Sequence, residues 1–396
     1  MNKLTIDDVA LKGKRVFIRV DFNVPMTESG TIREDTRIRG ALPTIRKAIK
    51  DGGRVVLASH MGRPKGKIIP SLSLKPVAER LSMLLGQEVK LAPDCVGPEV
   101  EAMVDALKPG EVLLLENVRF HGGETKNDPA LADGFARLAD VAVNDAFGTA
   151  HRAHSSNVGV GERVPPSVAG YLMAAEIEYF NKVVRNPQRP VVSILGGAKV
   201  SSKIGVIEAL MDKVDKIIIG GAMAFTFFKA RGYNTGTSLV EDDQVKVAAD
   251  AEAKAKAKGV QLVLPVDAVC AQSMDDGAPT RIFPVNAIPD GWMGLDVGPE
   301  TVKLFNEALG GVRTIVWNGP LGMFEKPAYA TGTMALAKTV ANSGAVSVVG
   351  GGDTDAAVKQ AGVASSMSHI STGGGAFLEL MEGKELPGVT IIGEKK

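Results

Sequence analysis

Cysteine is nearly absent from this chain of 396 residues, aromatic residues are sparse, and net charge is almost nil. Cys95 and Cys270 are the only cysteines. They show no metal-ligand spacing, exclude a disulfide framework, and fit a reducing, cytoplasmic setting. Lys and Arg (46) nearly balance Asp and Glu (45), so the net charge is +1. That balance excludes a global basic field and, with it, nucleic acid as the expected partner. No apolar run approaches the roughly 20 residues a membrane span requires. The stretch Met1–Leu11, with Asp7 and Asp8, does not resemble a signal peptide.

What the chain does have is glycine, 45 copies, in a background that is 45% hydrophobic and 23% charged. This suits an α/β enzyme with many strand-to-helix turns, and the length suggests two domains. The first half alternates strands (16–20, 55–59, 89–91, 112–116, 141–144) with helices (36–50, 73–85, 98–107, 129–139). Proline-marked ends at Pro165-Pro166 and Pro187–Pro190 bracket an expected connecting helix over 169–184. The second half restarts with strands at 191–195, 216–219, 261–264, 314–317 and 346–349. Its expected helices lie at 202–211, 223–230, 242–258 and 376–382. The fold expected is α/β, two Rossmann-like domains, each a mainly parallel sheet flanked by helices. The boundaries are 1–168, a hinge helix at 169–185, and 186–385.

Ligands in such sheets bind beyond the carboxyl ends of the strands. In the second half, VSVVGGGDTD (346–355) reads as a strand, a glycine turn and a helix start. Unpaired backbone N–H groups and the positive helix end then face one point, with Asp353 and Thr354 at the expected cap. Gly196-Gly-Ala-Lys-Val-Ser-Ser-Lys203 follows another strand, and Lys199 and Lys203 are spaced to share a helix face. Further glycine turns lie at 220–221, at 317–322 (followed by Glu325) and at 371–375. Several such turns on one sheet edge favour a nucleotide cleft.

In the first half the strands are followed by Asp21 and Asn23, by His60 and Arg63, by Asn117 and Arg119, and by Arg152 between His151 and His154. Arg37 stands in the first turn of the first helix. Arginine's planar fork suits phosphate and carboxylate oxygens. Four such contacts at ~1.5–3 kcal/mol each would hold a small polyanion. No G-x-x-x-x-G-K-[ST] is present, G-x-G-x-x-G is broken at Asp355, and the protein-kinase motifs are missing. A nicotinamide-dependent dehydrogenase and a non-catalytic nucleotide-binding protein are the alternatives, the first disfavoured by the broken fingerprint and the arginines.

The stretches RVDFNVP (19–25), SHMGRP (59–64), LENVRF (115–120), NDAFGTAHRAHSS (144–156), GGAKVSSK (196–203), WNGPLG (317–322), GGGDT (350–354) and STGGGA (371–376) together resemble the phosphoglycerate kinase family. The similarity runs from about Val16 to Gly383. It implies reversible transfer of a phosphoryl group from 1,3-bisphosphoglycerate to ADP, giving 3-phosphoglycerate and ATP. It implies 3-phosphoglycerate contacts at Asp21, Asn23, Arg37, His60, Arg63, Arg119 and Arg152. Nucleotide contacts would be Lys199, Lys203, Gly294, Asn318, Glu325, Gly351, Gly352, Asp353 and Thr354, with Gly373, Gly374 and Gly375 as a phosphate loop. Asp353 would carry Mg²⁺ with ATP or ADP, and Arg37 and Lys199 would stabilise the transferring group. The resemblance also implies a monomer with hinge-bending domains, and a tail, about 386–396, that returns to the first domain.

Overall fold

The computed structural model describes residues 2–395. The chain divides into two compact units. One runs up to Glu178 and resumes at Glu385; the other is Tyr179–Lys384. No helix among the described residues is long and apolar enough to cross a membrane.

The first unit is built on six strands: β1 Arg15–Arg19, β2 Arg54–Ala58, β3 Val89–Leu91, β4 Val112–Leu114, β5 Val141–Asn144 and β6 Val168–Ala169. They lie in the order β3-β4-β2-β1-β5-β6, every pair parallel. The four inner strands are near-continuously buried because helices cover both faces. Alternate residues of β1 enter separate cores: Val16 and Ile18 pack with Ile38, Ala41 and Ile45 of the helix Thr36–Lys50. Phe17 faces the other way, against Phe135 at 5.5 Å.

The second unit repeats the plan with β7 Val191–Leu195, β8 Lys216–Ile219, β9 Gln261–Val263, β13 Thr314–Asn318, β14 Val346–Gly350 and β15 His369–Ile370. The order is β15-β14-β13-β7-β8-β9, again all parallel. A separate three-stranded antiparallel sheet, β11-β10-β12, is made by β10 Asp267–Ala271, β11 Arg281–Pro284 and β12 Met293–Val297.

Four expectations need correction. The sequence reading contains no second sheet in this region and no helices at Pro299–Ala308 and Thr331–Asn342. The connecting helix does not begin at 169, because Val168 and Ala169 pair with Val143 and Asn144 as an edge strand. The helix is Tyr171–Phe180, followed by a π-helical turn at Asn181–Arg185. Its first turn is held by the buried Asp145, whose Oδ1 accepts from the N–H groups of Leu172 (2.9 Å) and Met173 (3.2 Å). Lys199 and Lys203 share no helix face, since the helix is Ile204–Leu210 and both precede it. Finally, Gly351 is the residue before the helix Gly352–Gln360, so Asp353 and Thr354 lie inside its first turn and do not cap it.

The segment after Glu385 is stitched into the first unit. Asn144 donates its Nδ2–H to the Gly388 carbonyl at 2.9 Å, and Leu4 N–H donates to the Gly393 carbonyl at 2.7 Å. Leu386, Val389 and Ile392 are each at most 2% exposed. At Gly388 a Cβ would stand 2.8 Å from the Ala150 Cα, with no flexible atom to give way. Gly388→Val is therefore expected to lower the unfolding midpoint of the first unit. Truncation after Lys384 should cost several kcal/mol, at ~1.5–3 kcal/mol for each buried apolar side chain lost. Urea unfolding followed by a first-unit probe measures both, and wild-type midpoints would refute a stabilising tail.

Candidate active site

Parallel pairing sends the exits of β1, β2, β4 and β5 to one edge of the first sheet, and those exits carry the polar residues singled out above. Arg37 enters from the start of the helix Thr36–Lys50 and donates through Nη1 to Asp21 Oδ2 at 2.6 Å. Asp21 Oδ1 accepts from Asn23 N–H at 3.2 Å and lies 3.9 Å from His60 Nδ1. Asn23 Oδ1 accepts from Gly62 N–H at 2.8 Å, while Arg119 Nη1 donates to the Gly62 carbonyl at 2.8 Å. Two strand-exit loops thus grip the third. Arg63 and Arg152 are exposed.

His60 is 5% exposed, and its pKa lies well below the ordinary value. Burial is the main cause, with the charges of Arg19, Arg119 and Arg37 adding to it. His60 is thus a neutral ring, fit to exchange hydrogen bonds but not to supply charge. Arg119 is half-buried, and burial together with Arg19 and Arg152 pushes its pKa down. The structure brings Arg37, His60, Arg119, Arg152 and Asp21 into one electrostatic neighbourhood; among the described residues, no hydrogen bond or ion pair ties the Arg63 guanidinium to it.

Beneath this cluster is a layer absent from the sequence reading. Arg19, 1% exposed, donates through Nε to Ser156 Oγ at 2.7 Å and contacts His60 Nδ1 through Nη2 at 3.2 Å. Ser156 in turn donates through Oγ (2.5 Å) and N–H (3.0 Å) to the two oxygens of Glu124, which is fully buried. Burial raises the Glu124 pKa while the Arg19 charge opposes it. The serine bridge and the compensating charge hold the underside of His60 in place. Asn117 does similar work laterally: its Oδ1 accepts from Met61 N–H, and its Nδ2 donates to the carbonyls of Met61 (2.8 Å) and Leu72 (2.9 Å). Arg19 opens the stretch RVDFNVP, but as an inward strand residue it reads as core; Glu124 is one more charge in a polar loop.

In the second unit a cavity of about 500 Å³ opens between the exits of β7, β8 and β13 and the antiparallel sheet. Its walls include Ala222, Phe225, Leu321 and Gly294, with Glu325 and Asp353 at its polar side. At Gly294 a Cβ would stand 2.1 Å from Phe225 Cζ, so only glycine allows this wall to close on the ring. Lys203, also near this edge, bonds Asn318 Oδ1 through Nζ. Burial lowers its pKa to about 8, with Asp353 pulling the other way. Asn318 Nδ2 donates to the Gly350 carbonyl at 2.7 Å, and the buried Thr354 hydroxyl accepts from Gly319 N–H at 2.7 Å. These bonds tie the β13 and β14 exits together. Gly351 has φ +95°, which lets the chain turn from β14 into the helix. Lys199, Gly352 and Asp353 are exposed; Gly373, Gly374 and Gly375 lead into the helix Gly375–Met381.

Asp296 is a cavity residue missing from the sequence reading. It is 4% exposed and accepts through Oδ2 from Gly332 N–H and through Oδ1 from Val297 N–H, both at 2.8 Å. Burial raises its pKa to about 7 despite these bonds. Between about pH 4 and 7 the folded state therefore binds more protons here than the unfolded chain, and stability falls as pH rises. Asp296→Asn is expected to flatten that fall in a series of urea midpoints across this window. An unchanged slope would place the titration elsewhere.

The phosphoglycerate kinase family model matches residues 6–384. The phosphoglycerate kinase of Chloroherpeton thalassium is 54% identical over 395 residues, 99% of each chain. The chloroplastic phosphoglycerate kinase of Volvox carteri is 57% identical over 97% of this chain and 84% of its own. Among solved structures, phosphoglycerate kinase from Coxiella burnetii superposes with a TM-score of 0.91 at 44% identity, covering 98% of both chains. With a cationic strand-exit cluster on one unit and a glycine-walled cavity on the other, this chain belongs to the phosphoglycerate kinase family.

Proposed function

We propose that this chain transfers a phosphoryl group reversibly from 1,3-bisphosphoglycerate to ADP, giving 3-phosphoglycerate and ATP. The observation that carries this is the cluster on the first unit, where Asp21 holds Arg37 at 2.6 Å beside a buried, uncharged His60. Relatives over nearly the full chain support it, and neither a nicotinamide-dependent dehydrogenase nor a non-catalytic binder is favoured.

In this reading Arg63, Arg119 and Arg152 hold the anionic ends of 3-phosphoglycerate, and Asn23, Asp21 and His60 take its hydroxyl and neighbouring oxygens. The acceptor carboxylate is already ionised at neutral pH, since such groups titrate near ~4, so no general base is needed. Catalysis is then positioning and neutralisation of charge on the transferring group, by Arg37 and Lys199. On the nucleotide side, Gly294 and Glu325 border the cavity for the nucleoside. Lys203, Asn318, Thr354 and the backbone N–H groups of Gly351, Gly352 and Gly373–Gly375 serve the phosphates, directly or by shaping their loops. The exposed Asp353 carboxylate at the cavity suits Mg²⁺, which takes one or two carboxylates and fills its other positions with phosphate oxygens and water. When bound, the ion would neutralise nucleotide phosphate charge.

An acyl phosphate hydrolyses in water, so hinge closure about the connecting helix and near Ser371–Gly375 belongs to the same proposal. The enzyme is taken to act as a cytoplasmic monomer.

Arg37→Ala is expected to lower kcat by about 10²–10³ in an assay of ATP- and 3-phosphoglycerate-dependent acyl phosphate formation, with nucleotide affinity unchanged. Lysine at that position should rescue only in part, for want of the fork. A variant keeping more than half the wild-type kcat would overturn the assignment.

Asp353→Asn should weaken Mg²⁺-dependent nucleotide binding without changing 3-phosphoglycerate affinity. Because Asp353 makes no capping bond, its loss should not unravel the helix. Calorimetry with each ligand separately decides, and equal losses for both would defeat the metal role.

A further inference from the structure

Outside the groups used above, three side chains of different donor type meet on the first unit. Asp94 and Cys95 lie in the loop after β3, and His121 follows the β4 exit. One carboxylate oxygen of Asp94, Sγ of Cys95 and a ring nitrogen of His121 all lie within 4.8 Å of one another. His121 Nε2 is 2.6 Å from Asp94 Oδ1, and that oxygen also accepts from Cys95 N–H at 2.6 Å. Cys95 is fully buried and donates its thiol to the Glu116 carbonyl at 2.9 Å. We propose that Asp94, Cys95 and His121 form a binding site for a zinc-class divalent ion, bound by thiolate, imidazole and carboxylate with water in the fourth position.

The donor set is the argument. Thiolate and imidazole select zinc-class ions over the hard Mg²⁺ that nucleotides carry. Ligand distances of ~2.0–2.3 Å put tetrahedral donor atoms ~3.3–3.8 Å apart. The Asp94–His121 pair therefore opens from 2.6 Å, by roughly 0.7 Å or more, and the other separations, all within 4.8 Å, close by about 1 Å at most. Side-chain rotation can supply that, because Asp94 is exposed and His121 only half-buried. The thiol proton passes to solvent, and the imidazole, now bonded to Asp94 through Nε2, carries its proton on Nδ1 instead. Such an ion would tie the 94–95 loop to the loop that bears Arg119.

The test uses the full chain, freed of metal by a chelator and kept reduced, without nucleotide, titrated with Co²⁺ as an absorbing stand-in for Zn²⁺. Expected is one ion per chain, with a thiolate-to-cobalt charge-transfer band in the near ultraviolet. Mg²⁺ in excess should leave it and Zn²⁺ should abolish it. Cys95→Ser should remove the band and Cys270→Ser should not. Because Cys95 is buried, its variant must first show a native circular-dichroism spectrum. His121→Asn and Asp94→Asn, both nearer the surface, decide independently by losing about tenfold or more in affinity. No band at millimolar Co²⁺, a band that follows Cys270, or wild-type affinity in His121→Asn would each overturn the site.

Discussion

A parallel strand cannot be joined to its neighbour by a tight hairpin; the chain must leave, cross a face and re-enter at the far end. Every strand exit therefore collects at one sheet edge, whatever the loops contain. Both six-stranded sheets are parallel throughout, so polar residues scattered over more than a hundred positions arrive in two neighbourhoods. The site chemistry follows from that topological constraint before any side chain is chosen.

Crowding loops at one edge creates two physical problems, and the units solve them differently. In the second unit the problem is space. Gly319 lies with φ +99°, and a Cβ there would stand 2.2 Å from the Gly196 carbonyl oxygen, so two strand exits touch backbone to backbone. Gly294 does the same against an aromatic ring. The glycine richness of the sequence is thus a record of close approach as well as of turning.

In the first unit the problem is charge. Several guanidinium groups brought together repel one another, and burying one of them is costly unless it is paired. Glu124 and Ser156 compensate Arg19 from below, Asp21 compensates Arg37 from the side, and His60 stays uncharged between them. The exposed Arg63 and Arg152 keep their hydration. An anionic ligand would complete the balance from above.

The sequence alone settled the alternation of strands and helices, the glycine turns, and the residues that follow β1, β2, β4 and β5. These are local matters, governed by backbone sterics and by the apolar period within a few residues, so a linear reading reaches them. The helix at Thr36–Lys50 and the strands at Val141–Asn144 and Val191–Leu195 lie where the pattern puts them. Tertiary structure decided what depends on partners distant in the chain. Ala169 is helical by local pattern but becomes a strand because β5 offers an open edge. The sheet at β10–β12 goes unread because its strands carry irregular burial and are set by pairing across long loops. Lys199 and Lys203 have helical spacing but both precede the helix Ile204–Leu210. Glu124 and Asp296 look like ordinary surface acids in one dimension. Only the packing shows them buried, because burial is a property of everything that surrounds a residue and not of its neighbours in sequence.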